Sequence, residues 1–203
     1  MVSSLAVNFY NRRAAALIPA YGSVLFEQVH SPVLPYLPAL PARVLDVGAG
    51  SGRDAAALAL MGFDVTAAEP ASELRKAGKL VAPKARWLAD KLPRLSVLNG
   101  RNERFSFILC SAVLMSLKPR ELAPSFAAMA RRMLPHGILA LTIRDPTASE
   151  AASGLTAHSD ERVREAAAKS GLVLLAHAEV SDALGREHCW RSYVFAAPAL
   201  RDG

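Results

Sequence analysis

The sequence predicts a doubly wound α/β fold whose seven-stranded, mostly parallel sheet ends in an antiparallel hairpin. Three features lead there. From residue 43 to residue 196, short apolar runs alternate with helix-patterned blocks, which argues for parallel strands covered on both faces. A glycine-rich turn joins the first of those strands directly to a helix. The last two strands are linked only by residues 179–187, a short stretch containing Gly185, so they should pair as an antiparallel hairpin at one edge.

Taken in order, residues 5–30 carry Leu17, Tyr21, Leu25 and Val29 at helical spacing, interrupted by Pro19 and Gly22, which predicts two short helices broken there. Pro32, Pro35, Pro38 and Pro41 make a connector that neither a helix interior nor a central strand accepts. We therefore expect residues 1–41 to form a helical lid with its connector, and residues 42–198 the main domain. Strands follow at 44–47, 63–68, 85–88, 105–110, 138–143, 172–176 and 190–196. Helices fall at 53–61, ended by Gly62, and at 71–80. Leu122, Phe126, Met129 and Met133 trace one face of a third, opened by Pro119 and closed by 135–137. Ser159 caps a fourth, with Asp160 and Glu161 in its first turn and Gly171 after it.

Composition excludes several classes. A length of 203 residues suits one domain with a small appendage, at roughly 100–200 residues per domain. Half the residues are apolar, too many for a disordered chain. Cys110 and Cys189 lie far apart, each in an apolar run, with no metal-ligand spacing around them, so neither a disulfide framework nor a metal site is expected. The first thirty residues lack the uninterrupted apolar core of a signal peptide, and nothing approaches eighteen apolar residues in a row. A cytoplasmic protein that does not span a membrane is the expectation; the sequence gives no sign of its oligomeric state.

Residues 44–52, Val-Leu-Asp-Val-Gly-Ala-Gly-Ser-Gly, are the most informative stretch. Glycines at 48, 50 and 52 let the backbone turn sharply and come close to a ligand beyond the carboxyl end of the strand. Glu69, ending the second strand, can accept both hydroxyls of a ribose. A dinucleotide fingerprint wants a third glycine at the sixth position, where Arg53 stands, and Asp46 would repel a diphosphate. A ribose-bearing ligand with a cationic end and no diphosphate fits better, and Asp46 can help hold its ammonium directly or through water.

At this point the chain resembles the class I S-adenosylmethionine-dependent methyltransferases. Residues 44–54, Glu69 and Trp87-Leu88-Ala89-Asp90 look like that family's first three motifs, and 105–115 with Pro119 and 137–143 like its later ones. The resemblance covers roughly residues 43–196 and implies a Rossmann-like domain that binds S-adenosylmethionine. It further implies that Asp46, Gly48 and Gly50, with Ala49 and Gly52 beside them, meet the methionine part, and that Glu69, with Pro70 next to it, holds the ribose. Asp90 and the backbone near Lys91 would meet the adenine, and Ser111 would lie beside the sulfonium and the acceptor. The N-terminal helices resemble the lid that many small members fold over the cofactor.

A base for the acceptor is less legible. His136, His177 and His188 read as structural or uninformative; His30 and His158 fall where lid and substrate loop should be and are the two candidates. The fourth strand is followed by Ser111-Ala112-Val113, without the Pro-Pro-Tyr or Pro-Pro-Phe of adenine amino methylation and without the pattern of cytosine C5 enzymes. A small-molecule acceptor, methylated on oxygen or nitrogen, is the expected partner. The alternatives are a methyltransferase for RNA or protein that uses the basic segment 75–104, a non-catalytic binding module, or an oxidoreductase holding a nicotinamide nucleotide in the same loop. In that segment Arg75, Lys76, Lys79, Lys84, Arg86, Lys91, Arg94, Arg101 and Arg104 face only Asp90 and Glu103. It lacks interleaved aromatics and reads as solvated surface before it reads as a nucleic-acid contact.

Overall fold

Residues 4–100 and 102–199 are described in the computed structural model; residues 1–3 of the expected lid and Arg101 of the basic segment lie outside them. Five apolar strands run parallel: β1 (Arg43–Val47), β2 (Asp64–Ala68), β3 (Arg86–Leu88), β4 (Phe105–Ser111) and β5 (Met133–Arg144). With β6 (Val173–Ser181) and β7 (Cys189–Ala196) they form a sheet of order β3-β2-β1-β4-β5-β7-β6, in which β7 is antiparallel to both its neighbours. The expected hairpin is therefore present, with β6 as the outer strand. The helices are α1 (Ser4–Gly22), α2 (Phe26–His30), α3 (Arg53–Leu60), α4 (Ser72–Val81), α5 (Ser96–Asn99), α6 (Leu122–Ala130), α7 (Ala148–Ala152) and α8 (Asp160–Ala168).

Both faces of the sheet are covered, and the strand period of two divides the core accordingly. Leu45, Val47, Ile108, Cys110, Leu139 and Leu141 join Phe126 and Met129 of α6 and Val163 of α8 on one side. Val44, Phe107, Leu109 and Ala140 meet Ala55 and Leu58 of α3 and Phe26 of α2 on the other. Because Asp46 has the parity of Val44, it points to this second side, beneath the start of α3. The chain winds outward from β1 through β2 to β3 and then returns to β4 beside β1. That reversal opens a crevice beyond the carboxyl ends of β1 and β4, where ligands of such sheets bind.

Three elements differ from expectation. Pro19 lies inside α1 rather than between two helices. It stands exposed in the last turn, and Ala14 with Tyr10 and Ile18 packs on Ala71 and Leu74, holding the helix together past the proline. The chain breaks instead after Gly22, before α2. The helix expected to reach Met133 stops at Ala130, and Met133 already belongs to β5. There the stretch from Met133 to Ile138 runs opposite only Phe105 to Phe107, a bulge that accommodates His136 at φ +58. The short helices α5 and α7 have no periodicity long enough to announce them.

Helix α4 begins without a side-chain cap of its own, and α1 supplies one. Asn11 Oδ1 of α1 accepts the Glu73 amide at 3.1 Å, satisfying one of the free N–H groups of the first turn. Further along α4, Gly78 lies against the indole of Trp87, which is itself pinned by donation from Nε1 to the Ala82 carbonyl at 3.1 Å. A Cβ at Gly78 would fall 2.2 Å from that ring. Glycine to alanine in a helix ordinarily adds about 1 kcal/mol of stability, but overpacking costs about 1–3 kcal/mol. Gly78→Ala is therefore expected to lower the midpoint of urea unfolding; a raised midpoint would show that Trp87 moves aside freely.

Candidate functional site

The turn that follows β1 is shaped by backbone that only glycine adopts easily. Gly48 (φ +74) sits so close to Val113 that a Cβ would come within 2.3 Å of its side chain. Gly50 (φ +55) has no such neighbour: the nearest atom to a Cβ there is in the Tyr21 ring at 3.9 Å, and the space above it belongs to the crevice. The Gly48 and Ala49 amides donate to the Ala68 carbonyl at 2.7 and 3.2 Å, fixing the turn to the end of β2. The next residue, Glu69, reaches back. Its Oε2 accepts from the Gly50 amide at 2.9 Å and its Oε1 from the Ala71 amide at 2.7 Å. The carboxylate is 5% exposed, and burial raises its pKa while the two amides and Arg75 oppose the rise.

These groups line one cavity of about 180 Å³, walled by the turn, the ends of β2, β4 and β5, helix α1 and the β6–β7 loop. Gly48, Ala49, Gly50, Glu69, Pro70, Asp90, Lys91 and Ser111 all reach it; Asp46 and Gly52 do not. Gly52 serves packing, since a Cβ there would lie 3.0 Å from Gly78. Asp46 lies just behind the wall, 1% exposed, and one of its carboxylate oxygens, Oδ2, has no partner. Burial, with Asp54 and Glu69 nearby, pushes its pKa well above the usual carboxylate range, against which Arg53 and the Ala55 amide act.

Asp90 is on the wall but already engaged. Its Oδ1 accepts from the Lys91 amide, and its Oδ2 from the Val97 and Leu98 amides at 3.0 Å each, so it shapes the loop and the start of α5. Ser111 shares a hydrogen bond of 3.0 Å with Thr142 of β5, and both hydroxyls face the cavity.

Neither histidine candidate is among the residues that line the cavity. His30 is fully buried, with Nε2 3.1 Å from Asp54 Oδ2, and ties α2 to the first turn of α3. His158 is fully buried as well; its Nε2 lies 3.0 and 3.1 Å from the Leu114 and Leu117 carbonyls, which requires the proton on that nitrogen. Burial lowers its pKa, so it remains neutral. Both are structural, and the cavity wall carries no histidine.

Residues that sequence reasoning passed over complete the site. Arg53 lines the cavity while its Nε and one terminal nitrogen grip Asp54 at 2.7 and 2.8 Å. Burial would raise the Asp54 carboxyl, yet His30 and Arg53 hold it well below its usual range. Tyr10 and Tyr21 enter from α1, and burial raises both phenols. Asp182 organises the β6–β7 loop: it accepts from the Leu184 amide, from Arg186 at 3.1 and 2.6 Å, and from Trp190 Nε1 at 2.8 Å. Only Arg53 had a sequence signal, as the residue standing where a dinucleotide motif has its last glycine.

Comparison with known proteins agrees with this geometry. A family described as a methyltransferase domain matches residues 21–191, most of the chain, and the chain belongs to that family. No curated protein sequence matches it significantly. Among solved structures, it is similar to magnesium protoporphyrin IX methyltransferase from Synechocystis, solved with bound S-adenosylmethionine (TM-score 0.64, 14% identity, 92% of this chain and 79% of that one). It is also similar to the N-methyltransferase NodS from Bradyrhizobium japonicum, in complex with S-adenosyl-L-homocysteine (TM-score 0.66, 17% identity, 83% and 85%). A third is the glycopeptide N-methyltransferase MtfA, complexed with S-adenosyl-L-methionine (TM-score 0.68, 13% identity, 86% and 95%). At these identities the likeness is one of fold.

The buried Asp46 carboxyl has a consequence for stability. Its pKa is raised on folding, so across the window from about 4 up to its raised value the native state binds more protons than the unfolded chain. Its contribution is full below that window and is lost as pH rises through it. Asp54 acts oppositely, losing its contribution only as pH falls below the ordinary carboxylate range. Asp46→Asn is expected to flatten the decline of the ligand-free protein's urea midpoint as pH rises above about 4, the ordinary carboxylate value. An unchanged slope would mean that Asp46 is not the titrating group.

Proposed function

The chain being a class I S-adenosylmethionine-dependent methyltransferase, we propose that it methylates an oxygen or nitrogen atom of a small molecule. In this reading residues 1–41 close over the cofactor as a lid and residues 42–198 form the catalytic domain. The observation that carries it is the pairing of the glycine turn with the buried Glu69 carboxylate on one cavity wall.

The residues present fit the cofactor. Open space above Gly50 accepts a ligand against bare backbone. The unpartnered Asp46 Oδ2, behind that backbone, is an orphaned acceptor of the kind an ammonium or a bridging water satisfies. When bound, S-adenosylmethionine supplies an electrophilic methyl group on a sulfonium. Glu69 uses its remaining lone pairs to hold the ribose hydroxyls, and Arg53 uses the guanidinium edge that Asp54 leaves over to hold the cofactor's carboxylate. Asp90 keeps the adenine loop in shape, with Lys91 and Leu92 beside it. Ser111 and Thr142 face the reacting end.

The wall offers no evident general base. Asp54 and Asp182 are locked in ion pairs, Tyr10 and Tyr21 are neutral phenols, and both histidine candidates are elsewhere. Acceleration then rests on holding nucleophile and methyl group close and in line, an effect worth up to about 7–11 kcal/mol in well-oriented systems.

The basic segment gives less support to a nucleic-acid partner than its charge count suggests. Arg86 is paired with Glu103 and Thr66, and Arg75 donates to the Glu69 and Pro70 carbonyls. No helix among the described residues is long and apolar enough to cross a membrane. A cytoplasmic setting is part of the proposal, in keeping with the free thiols of Cys110 and Cys189.

Calorimetry tests the reading. S-adenosylmethionine and S-adenosylhomocysteine are expected to bind in the micromolar range. Glu69→Ala should weaken both by at least about tenfold, the loss of a charge-assisted pair of hydrogen bonds. Gly50→Val should abolish binding while the fold persists by circular dichroism. Wild-type affinity in both variants, or no binding by the wild type, would remove the basis of the assignment. A protein that binds both ligands but methylates none of a broad acceptor panel would instead be a binding module.

A further inference from the structure

Three aromatic side chains reach the cavity from two distant parts of the chain: Tyr10 and Tyr21 from α1, and Trp190 from the start of β7. None of the three rings stacks on another, although aromatic contacts occur elsewhere among the described residues. Tyr10 and Tyr21 line the same cavity as residues 181–184 and Arg186, so α1 and the β6–β7 loop both contribute to its wall.

Trp190 is held more firmly than packing alone demands. Its Nε1 donates to Asp182 Oδ2 at 2.8 Å, which fixes the ring plane. The Arg144 guanidinium lies over the indole, 5.5 Å from the ring centroid, and is itself clamped by Glu150 through bonds of 2.7 and 2.6 Å. Arg144 does not line the cavity and Trp190 does. The register neighbour of Trp190, Val180, lines it too with Leu184 and Val24, beside the polar Asp182, Arg186 and Ser192. An indole fixed along one edge and covered on one side presents a rigid surface to the cavity. Such a surface favours flat rings over puckered ones.

We propose that Trp190 is the fixed platform of a slot for a planar aromatic acceptor, within the cavity that Tyr10 and Tyr21 also line. The proposal rests on the methyltransferase reading above and narrows the acceptor within it. Asp182 and Arg144 are positioning residues for the platform: Asp182 holds the indole N–H and Arg144, outside the cavity lining, covers the ring. The hydroxyls of Ser111, Thr142 and Ser192 at the floor of the same cavity leave room for a polar substituent on the ring, the atom to be methylated.

The test is calorimetric titration of the full-length protein saturated with S-adenosylhomocysteine, using naphthol and its saturated counterpart decahydronaphthol. Naphthol is expected to bind at least about tenfold more tightly. Trp190→Leu should erase that preference, and Trp190→Phe should restore most of it. Affinity for S-adenosylhomocysteine, measured first on each variant, reports separately on the cofactor site and on folding. Equal affinity for the two probes in the wild type, no binding of either, or a preference that survives Trp190→Leu would overturn the slot. Failure of S-adenosylhomocysteine to bind the wild type would overturn the underlying reading as well.

Discussion

The Glu69 carboxylate, buried at the end of β2, accepts from the Gly50 amide and from the Ala71 amide, and so joins the turn after β1 to the start of α4. Each such bond to a charged acceptor contributes about 1.5–3 kcal/mol when the desolvated group is otherwise satisfied. The position of the cavity follows from this one link. If the carboxylate were absent, two buried amides would lose their acceptor, and the turn would be held to β2 only through the Ala68 carbonyl. The same carboxylate keeps further lone pairs towards the cavity, so the group that builds the site is also available to a ligand.

The N-terminal helices are coupled to this arrangement at two separate points. Asn11 satisfies the first turn of α4, close to where Glu69 reaches Ala71. On the other side, His30 meets Asp54 in the first turn of α3, next to the glycine turn. Both contacts are polar and specific, whereas the apolar contact of α1 with α4 is limited to a small cluster around Ala14, Ala71 and Leu74. Of the two N-terminal helices, α1 is thus attached by directed contacts over a small apolar area, whereas Phe26 of α2 is part of the core beside α3, so the two are not anchored alike. Loss of the His30–Asp54 contact would leave a buried carboxylate with Arg53 as its remaining side-chain partner, which links α2 and the glycine turn energetically.

Much of the domain was legible because its signals are local. Strand cores alternate between two faces, and Gly62, Pro119 and Gly171 punctuate the helices where the structure ends or begins them. The glycine turn and Glu69 could be read because backbone geometry and a strand end constrain residue type within a short window. What failed was non-local. Pro19 looked like a breaker, but packing of Ala14 and Ile18 on α4 carries α1 through it. His30 and His158 sat at plausible places in the chain, and only tertiary structure shows them turned into the core towards Asp54 and two carbonyls. Asp90 was read for a ligand; the structure places it on the cavity wall and adds three backbone bonds that the sequence does not announce. Trp190 and Asp182 carry no local pattern at all, since their partnership spans a loop that sequence reading could describe only as too short for a helix.

The charges around the turn also bear on which nucleoside the crevice suits. In dinucleotide sites, a diphosphate rests at a helix N-terminus, where free amides and the helix dipole favour negative charge. Here the start of α3 already has its anion: Asp54 occupies the first turn, buried and held by Arg53 and His30. Asp46 lies behind the same backbone, and Glu69 faces it from β2. Burial holds Asp46 toward its protonated form, against the opposing pull of Arg53. A diphosphate would push both carboxyls further that way, and Arg53 beside them is already committed to Asp54 along one edge. A ligand bearing an ammonium and a sulfonium acts oppositely, favouring the ionised carboxylates and gaining from the charge it draws out. The carboxylates that make the turn a poor phosphate cradle are thus the feature that makes it a good one for a methyl donor.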